Sequence, residues 1–421
     1  MALFQLVKGT EDYYPEDNRV KQAVFDILRT TATRHGFQEI DTSPLATTDL
    51  LTAKSGDEIK QQIFILEKRS TEEIGLRFDL TIPMTRMFAA RAKQLPKPVK
   101  WFALDKNWRY EAPQRGRQRE FYQLSVELFG SDKPEADAET INLLLACLRN
   151  CGLTARDITL KINNRKLLEG LLRDIIPEKA IESAIRIIDK SAKLDAEALQ
   201  DALADEGITP EQIERINQII RLKGTPAAVL KQLTTWKLSG QALDGYNELK
   251  ATLDFVPTEF VTIDLSIARG LAYYTGNVYE VHDRAGTYRA LAGGGRYDSL
   301  VKLLGGEHTP ATGFGLGWST LSLLLAEKKL LPVPIAGPEY YLCPVGEEAI
   351  PEAIHLAEKL RTKTSVDIDL MRRKLGKQFD HANAIGAKHV IILGPEELKK
   401  GNVKIKDMTT GKETIKHVED L

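Results

Sequence analysis

The chain has little of what staples, spans or strongly polarises a protein. Its 421 residues hold three cysteines, Cys147, Cys151 and Cys343. So few, at such spacing, exclude a disulfide framework and offer no metal-ligand pattern. Cys147 and Cys151 stand four apart in the apolar run INLLLACLRNCGL, which predicts buried thiols on one helix face. No run approaches ~18 uninterrupted apolar residues, so no membrane-spanning helix is expected. The opening MALFQLVKGTEDYYPED lacks a charged segment followed by an apolar core, so a signal peptide is not expected and a cytoplasmic setting is. Neither sign of charge is in excess: 58 Lys and Arg face 59 Asp and Glu, for a formal net charge of −1. That argues against a globally basic nucleic-acid binder, and any such contact must come from a local patch. What is present is ordinary: 43% hydrophobic and 28% charged residues, with length for two or three domains and a large core.

Residues 1 to about 20 read as an extended lead-in with turn signals at Lys8-Gly9-Thr10 and Tyr14-Pro15, either a strap over a pocket or partner or a surface arm. Val20, Val24, Ile27 and Leu28 predict an amphipathic helix over 20–36, capped by Gly36. Residues 37–41 alternate as a strand running towards Pro44, a pattern that suits a core element or a dimer interface. Strand-like runs follow at 63–66, 74–78, 99–104 and 121–129. In the last, a period of two sends Tyr122, Leu124, Val126 and Leu128 to one face, predicted as core. Phe121, Gln123, Ser125 and Glu127 share the other face, which is either solvated or lines a polar site. The preceding loop, 109–120, carries Arg109, Arg115, Arg117 and Arg119. It is either a solvated basic hairpin loop or an anion site, because guanidinium groups match phosphate geometry.

From about 158 to 255 the pattern turns helical, with an apolar stripe at Ile181, Ala184, Ile185 and Ile188 and a capping-box start at Thr209-Pro210-Glu211-Gln212. This reads as a helical insertion between two β-rich halves of one domain. After Pro257 the β pattern resumes. Over 263–300 it sets Arg269 just ahead of Tyr273 and Tyr274, then a Thr-Gly-Asn turn, a β-like run at 278–281 and a triple glycine before Arg296-Tyr297-Asp298. The stretch is either a polar hairpin with a glycine loop or the wall of a small polar pocket. A proline-rich linker is expected within 326–338. Beyond it, strands expected at 340–344, 366–370 and 389–393 alternate with helices, and a hairpin over 403–418 turns at Thr410-Gly411. The cluster Arg372-Arg373-Lys374 with Lys377 is a charged turn or a phosphate contact.

Several separated motifs, in order, resemble those of the histidyl-tRNA synthetases, a class II aminoacyl-tRNA synthetase family. KGTEDYYP at 8–15 is similar to the family's N-terminal segment, and HGFQEIDTSPL to motif 1, the dimer-interface element. LRFDLTIP at 76–83 resembles the segment that holds the amino acid's ammonium group, and WRYEAPQRGRQREFYQLSVELFG at 108–130 resembles motif 2. ARGLAYYTG at 268–276 and GGGRYD at 293–298 resemble the two histidine-specific motifs. The C-terminal GAKHVIILGPEELKKGNVKIKDMTTGKE is similar to the anticodon-binding domain.

The resemblance implies an α+β fold. A catalytic domain over 1–325 carries a six-stranded antiparallel sheet and the helical insertion, and an α/β anticodon-binding domain follows over 339–421. It also implies a homodimer, with L-histidine, ATP and tRNA(His) as partners, Mg2+ arriving with ATP, and no membrane. In the implied site Arg109 and Arg269 are the catalytic cations at the α-phosphate, Arg117 reaches the outer phosphates, and Glu111 accepts from the adenine amino group. Asp79, Thr81, Gln123 and Glu127 receive the histidine ammonium and orient the substrate, Tyr273 and Tyr274 wall the imidazole, and the triple glycine at 293–295 lets backbone approach the ligand. Gln114-Arg115 is expected at the acceptor stem, and no metal site is expected in the protein itself. Two departures stand out: Thr320 lies where motif 3 carries an arginine, and Ala272 where an aspartate is frequent. A second reading is the histidine-sensing regulatory subunit of ATP phosphoribosyltransferase. The retained Arg109, Arg117, Arg269, Gln123 and Glu127, together with the C-terminal segment, weigh against it.

Overall fold

The computed structural model describes residues 4–53, 60–68, 71–191, 194–268, 273–333 and 337–421. They fold as two units, Met1–Pro332 and Val333–Leu421. In the first unit the strands are β1 (Gln38–Glu39), β2 (Leu45–Thr47), β3 (Ile74–Leu76), β4 (Val99–Trp108), β5 (Glu120–Phe129) and β6 (Ile158–Asn164). They continue with β7 (Lys223–Gly224), β8 (Val261–Asp264), β9 (Asn277–Asp283), β10 (Ala292–Arg296) and β11 (Ala311–Gly317).

Nine of these strands make one sheet, ordered β1-β4-β5-β11-β10-β9-β6-β8-β7, and β2 pairs separately with β3. The expected six-stranded antiparallel sheet is its core, β4-β5-β11-β10-β9-β6. The run from β4 to β6 is antiparallel throughout. Short strands are added at both edges, where β1 lies parallel to β4 and β8 parallel to β6. The helical insertion expected from about 158 starts too early. Ile158, Leu160 and Ile162 alternate into the core, so residues 158–164 form β6 and the helices begin at Arg165. Those helices run to Leu253. The capping box at Thr209 and Gln212 forms, with reciprocal hydrogen bonds of 3.4 and 2.9 Å.

The two faces of the sheet are covered differently. On one, the helices Pro15–Arg34 and Pro134–Asn150 bury Phe25, Leu28, Leu144 and Cys147 with Phe102, Leu124 and Val126. Burial pushes the Cys151 thiol up to about 12. On the other face, the helix Thr81–Arg91 packs Phe88 on Phe129 and Trp101, and its ring stacks on Phe129 at 4.4 Å. This apolar cover reaches only part of the sheet, and the uncovered remainder is polar.

The lead-in is tied down. The Gly9 carbonyl accepts from the Arg119 and Glu120 amides at 2.8 and 3.1 Å, at the base of the β4–β5 hairpin. Buried Arg77 fastens β4 to the segment before β2, donating to the Thr42 carbonyl at 2.6 Å and to the Lys106 carbonyl at 3.1 Å, and it pairs with Asp105. At the other end the helix Trp318–Glu327 carries the first unit into the expected linker, and Leu330 and Leu331 still pack on its core. The division at 332/333 falls within that linker.

The second unit has strands β12 (Tyr340–Pro344), β13 (Val366–Ile368), β14 (His389–Leu393), β15 (Asn402–Asp407) and β16 (Glu413–His417), ordered β13-β12-β14-β15-β16. The first three in that order are parallel and the last two close an antiparallel hairpin. The Asp407 carboxylate holds the hairpin turn by accepting from the Thr409 and Thr410 amides at 2.9 and 2.7 Å. Among the described residues of both units, no helix is long and apolar enough to cross a membrane.

Candidate active site

The polar part of the sheet exists because β11 is built on alternating glycine. Gly313, Gly315 and Gly317 stand opposite Glu127, Ser125 and Gln123 of β5. A Cβ at Gly313 would lie 2.1 Å from Glu127 Oε2, and one at Gly315 would lie 2.2 Å from Gln123 Nε2. The polar side chains lie across β11, in space that only a missing side chain leaves. Phe314 and Leu316, pointing the other way, fill the core. Gln123 Nε2 donates to Ser125 Oγ at 2.8 Å, and Ser125 and Glu127 are buried. Of the two faces open to this strand, the structure selects the polar site and not solvent.

Above this floor lies a cavity of about 570 Å3, a volume suited to a small organic ligand. Asp79, Thr81, Gln123, Glu127, Tyr273 and Tyr274 line it, and Arg109, Glu111 and Arg117 reach it from the hairpin loop. Arg269 of the same expected set lies outside the described residues, as does Ala272. Residues separated by almost 200 positions in sequence thus meet around one space.

The cavity has a cationic end. Arg109 donates from Nε to the Phe78 carbonyl at 3.0 Å, and its guanidinium lies 5.2 Å from the Phe121 ring centroid. Arg117 pairs with Glu111, whose Oε1 is buried without a hydrogen-bond partner. Burial, and then the neighbouring guanidiniums of Arg289 and Arg109, lower the Arg117 pKa. The Glu111 carboxylate opposes that tendency, so we assign Arg117 as charged. The loop tip is a tight turn in which the Gln114 and Arg117 amides and carbonyls exchange bonds of 3.0 and 2.9 Å, with Gly116 at φ +77. Arg115 points elsewhere, over Tyr288 at 5.5 Å.

Carboxylates and aromatic rings line the same cavity. Asp79 Oδ1 accepts from the Ile82 amide at 3.1 Å, which fixes the carboxylate at the start of the helix Thr81–Arg91. The Tyr273 and Tyr274 rings lie 4.5 Å apart, and Tyr297 meets Tyr273 edge-on at 5.8 Å. The Tyr297 hydroxyl is buried at the cavity with no hydrogen-bond partner among the described residues, an orphan that a polar ligand would satisfy. Of the triple glycine, Gly293 lines the cavity. Gly294 and Gly295 instead admit the Gly313 carbonyl and the Tyr274 ring, packing roles not foreseen from the motif. Arg296 is also structural, donating to Asp137 at 3.0 Å and to the Ser131 carbonyl at 2.9 Å.

Thr320, in the first turn of Trp318–Glu327, donates its hydroxyl to the Gly116 carbonyl at 3.3 Å and clips that helix to the hairpin loop. Sequence reasoning did not single out Lys161, Glu280, His282 or Arg289, all of which line the cavity. The first three stand on β6 and β9, where alternation would have placed them on one face had 158–164 been read as strand. Glu280 and His282 are joined at 3.0 Å. Among the described residues no group of three or more His, Cys, Asp or Glu side chains is placed to hold a metal ion. A cation cluster, carboxylates and aromatic rings gathered around one cavity suit a polyanion and an ammonium group bound side by side.

Comparison with known proteins agrees with this division of the molecule. The sequence matches the family described as Histidyl-tRNA synthetase over residues 9–321 and an Anticodon binding domain over 339–421. A histidine–tRNA ligase of Pyrococcus horikoshii is 38% identical over 424 residues, covering 98% of this chain and 96% of the relative. One of Haloarcula marismortui is 36% identical over 414 residues, covering 98% and 95%. The crystal structure of a histidyl-tRNA synthetase from Nostoc sp. PCC 7120 superposes over 100% of this chain and 99% of that one, with TM-score 0.81 and 28% identity. A Bacillus halodurans structure titled as an ATP phosphoribosyltransferase regulatory subunit/histidyl-tRNA synthetase has TM-score 0.77 and 24% identity over 94% of this chain and 99% of that one, which speaks to fold alone.

Proposed function

The chain belongs to the histidyl-tRNA synthetase family, and on that premise we propose that the cavity binds L-histidine and ATP side by side and forms histidyl-adenylate. The enzyme is a histidine–tRNA ligase: it attaches histidine to tRNA at the expense of ATP. A carboxylate oxygen of histidine attacks the α-phosphorus, the bond from that phosphorus to the bridging oxygen breaks, and pyrophosphate leaves with the electron pair. The histidyl group then passes from the adenylate to the 3′ end of tRNA(His). Positioning and charge stabilisation dominate such a step.

Arg109 is assigned to the α-phosphate and substrate carboxylate, Arg117 to the outer phosphates, and Glu111 to the adenine amino group. Arg117 and Glu111 pair with each other here, so nucleotide binding would exchange that pair for phosphate and adenine. Asp79, Thr81, Gln123 and Glu127 are assigned to the ammonium group and its orientation, and Tyr273 with Tyr274 to the imidazole wall. Arg269, outside the described residues, keeps its expected place at the α-phosphate on the sequence alone. Mg2+ would enter on the nucleotide's phosphates, since it retains waters and binds readily through phosphate oxygens. The second unit is assigned to the tRNA anticodon. Exposed Leu45, Ile65 and Leu66 around β2 and β3 suit the homodimer that the family implies, and we place the enzyme in the cytoplasm.

The observation that carries this reading is the polar Gln123–Ser125–Glu127 face under the β11 glycines, which lines one cavity together with Arg109 and Arg117. Purified protein should exchange pyrophosphate into ATP only when histidine is present. Tight histidine binding with no exchange would instead support the histidine-sensing regulatory reading.

A further inference from the structure

Among the described residues three arginines line the cavity, Arg109, Arg117 and Arg289, and only the first two are explained by the hairpin loop. Arg289 comes from the connection between β9 and β10, and the backbone on both sides of it is fixed. The Asp283 carboxylate accepts from the Thr287 and Tyr288 amides at 2.8 and 3.0 Å, and the Tyr288 hydroxyl donates to Glu327 at 2.8 Å. Two residues on, the Leu291 amide donates to the Val281 carbonyl at 2.8 Å, and the Leu291 carbonyl accepts from the Gly317 amide at 2.9 Å. A surface arginine kept only for solubility needs no such anchoring.

The electrostatic setting is one-sided. Among the described residues Arg289 has no hydrogen bond and no carboxylate within 4.0 Å. Its nearby charge works against that of Arg117, and Glu111, the carboxylate of this end, is already paired with Arg117. Lys161, which also lines the cavity, stands in register with Glu280. Thr320, at the start of the helix that closes this end, is neutral and engaged with Gly116. Crowding guanidiniums without enough carboxylate is favourable only when a multiply charged anion answers them.

We propose that Arg289 is a substrate-binding residue that, beside Arg117, contacts the outer phosphates of ATP and supplies the cation that Thr320 does not. This rests on the synthetase reading above. Because Arg289 is exposed at the cavity mouth, its replacement should leave the fold intact.

In the full-length protein, Arg289→Ala and Arg289→Lys are to be compared with the unaltered chain in tRNA-free pyrophosphate exchange, titrating ATP and histidine separately. Loss of a charge-assisted contact should raise KM for ATP by about tenfold or more. KM for histidine should stay within about twofold, and Arg289→Lys should recover part of the loss. An unchanged KM for ATP in Arg289→Ala would overturn the proposal, and so would a rise confined to histidine. A rise confined to KM for tRNA in aminoacylation would overturn it in favour of a tRNA contact. Absence of histidine-dependent exchange in the unaltered chain would sink the synthetase reading itself. Direct titration with a non-hydrolysable ATP analogue still decides Arg289 in that event, with equal affinity of unaltered chain and Arg289→Ala counting against it.

Discussion

Two faces of β5 (Glu120–Phe129) are built on the same alternation and do different things. Leu124, Val126 and Leu128 enter the apolar layer under the helices Pro15–Arg34 and Pro134–Asn150. Ser125 and Glu127, pointing the other way, are also buried, with Gln123 at the rim of the cavity. A period of two usually separates inside from outside. Here it separates a dry interior from a polar one, and the glycines of β11 make the second possible. The strand's two faces are therefore held by different physics. One depends on packed volume, the other on space left empty for polar side chains.

Gly313→Val attacks that arrangement most severely. Its Cβ would fall 2.1 Å from Glu127 Oε2 and 2.2 Å from the Val126 carbonyl. Exchange activity should fall by roughly a hundredfold or more from the misplaced site, and overpacking should also cost about 1–3 kcal/mol of stability, read by denaturant melts. Next in size, Leu124→Ala should remove about 2–5 kcal/mol of stability while the folded fraction keeps its KM for histidine. Glu127→Gln should do the reverse. Its KM for histidine should rise by about tenfold to a hundredfold, as for loss of a charged hydrogen bond, with a smaller change in melting. If both substitutions moved the same quantity, the two faces would not be distinct.

The smallest effect concerns the thiols of the dry layer. Burial raises Cys151 to about 12 and pushes Cys147 up as well. Burial favours the neutral thiol, so its contribution is whole below the ordinary thiol pKa and is lost as pH climbs towards the raised value. At pH 8 neither thiol should react with iodoacetamide until the protein unfolds, and activity should be indifferent to the reagent. Rapid labelling of native protein would show that the layer admits water.

Much of this was legible in the sequence, and what was missed has physical causes. The β5 alternation, the arginine-rich hairpin loop and the paired tyrosines each carry a local signal, and the structure draws them around one cavity. The six antiparallel strands that the family resemblance implied are present, and only edge strands such as β1 and β7, two residues each, were too short for any periodicity to announce. β6 was absorbed into the helical insertion because the helices directly follow it, although Ile158, Leu160 and Ile162 alternate. Arg289 lies in a turn with no period at all. Only closure of the β9–β10 hairpin beside β11 carries it to Arg117, which no local pattern in the chain announces.

The most direct test is a crystal structure with L-histidine and a non-hydrolysable ATP analogue bound together. The histidine ammonium should lie within hydrogen-bond distance of Glu127 and Gln123, with the imidazole against Tyr273 and Tyr274 and the phosphates against Arg109 and Arg117. Histidine bound elsewhere, or phosphates turned towards the Glu127 end, would contradict the division of the cavity on which the account depends.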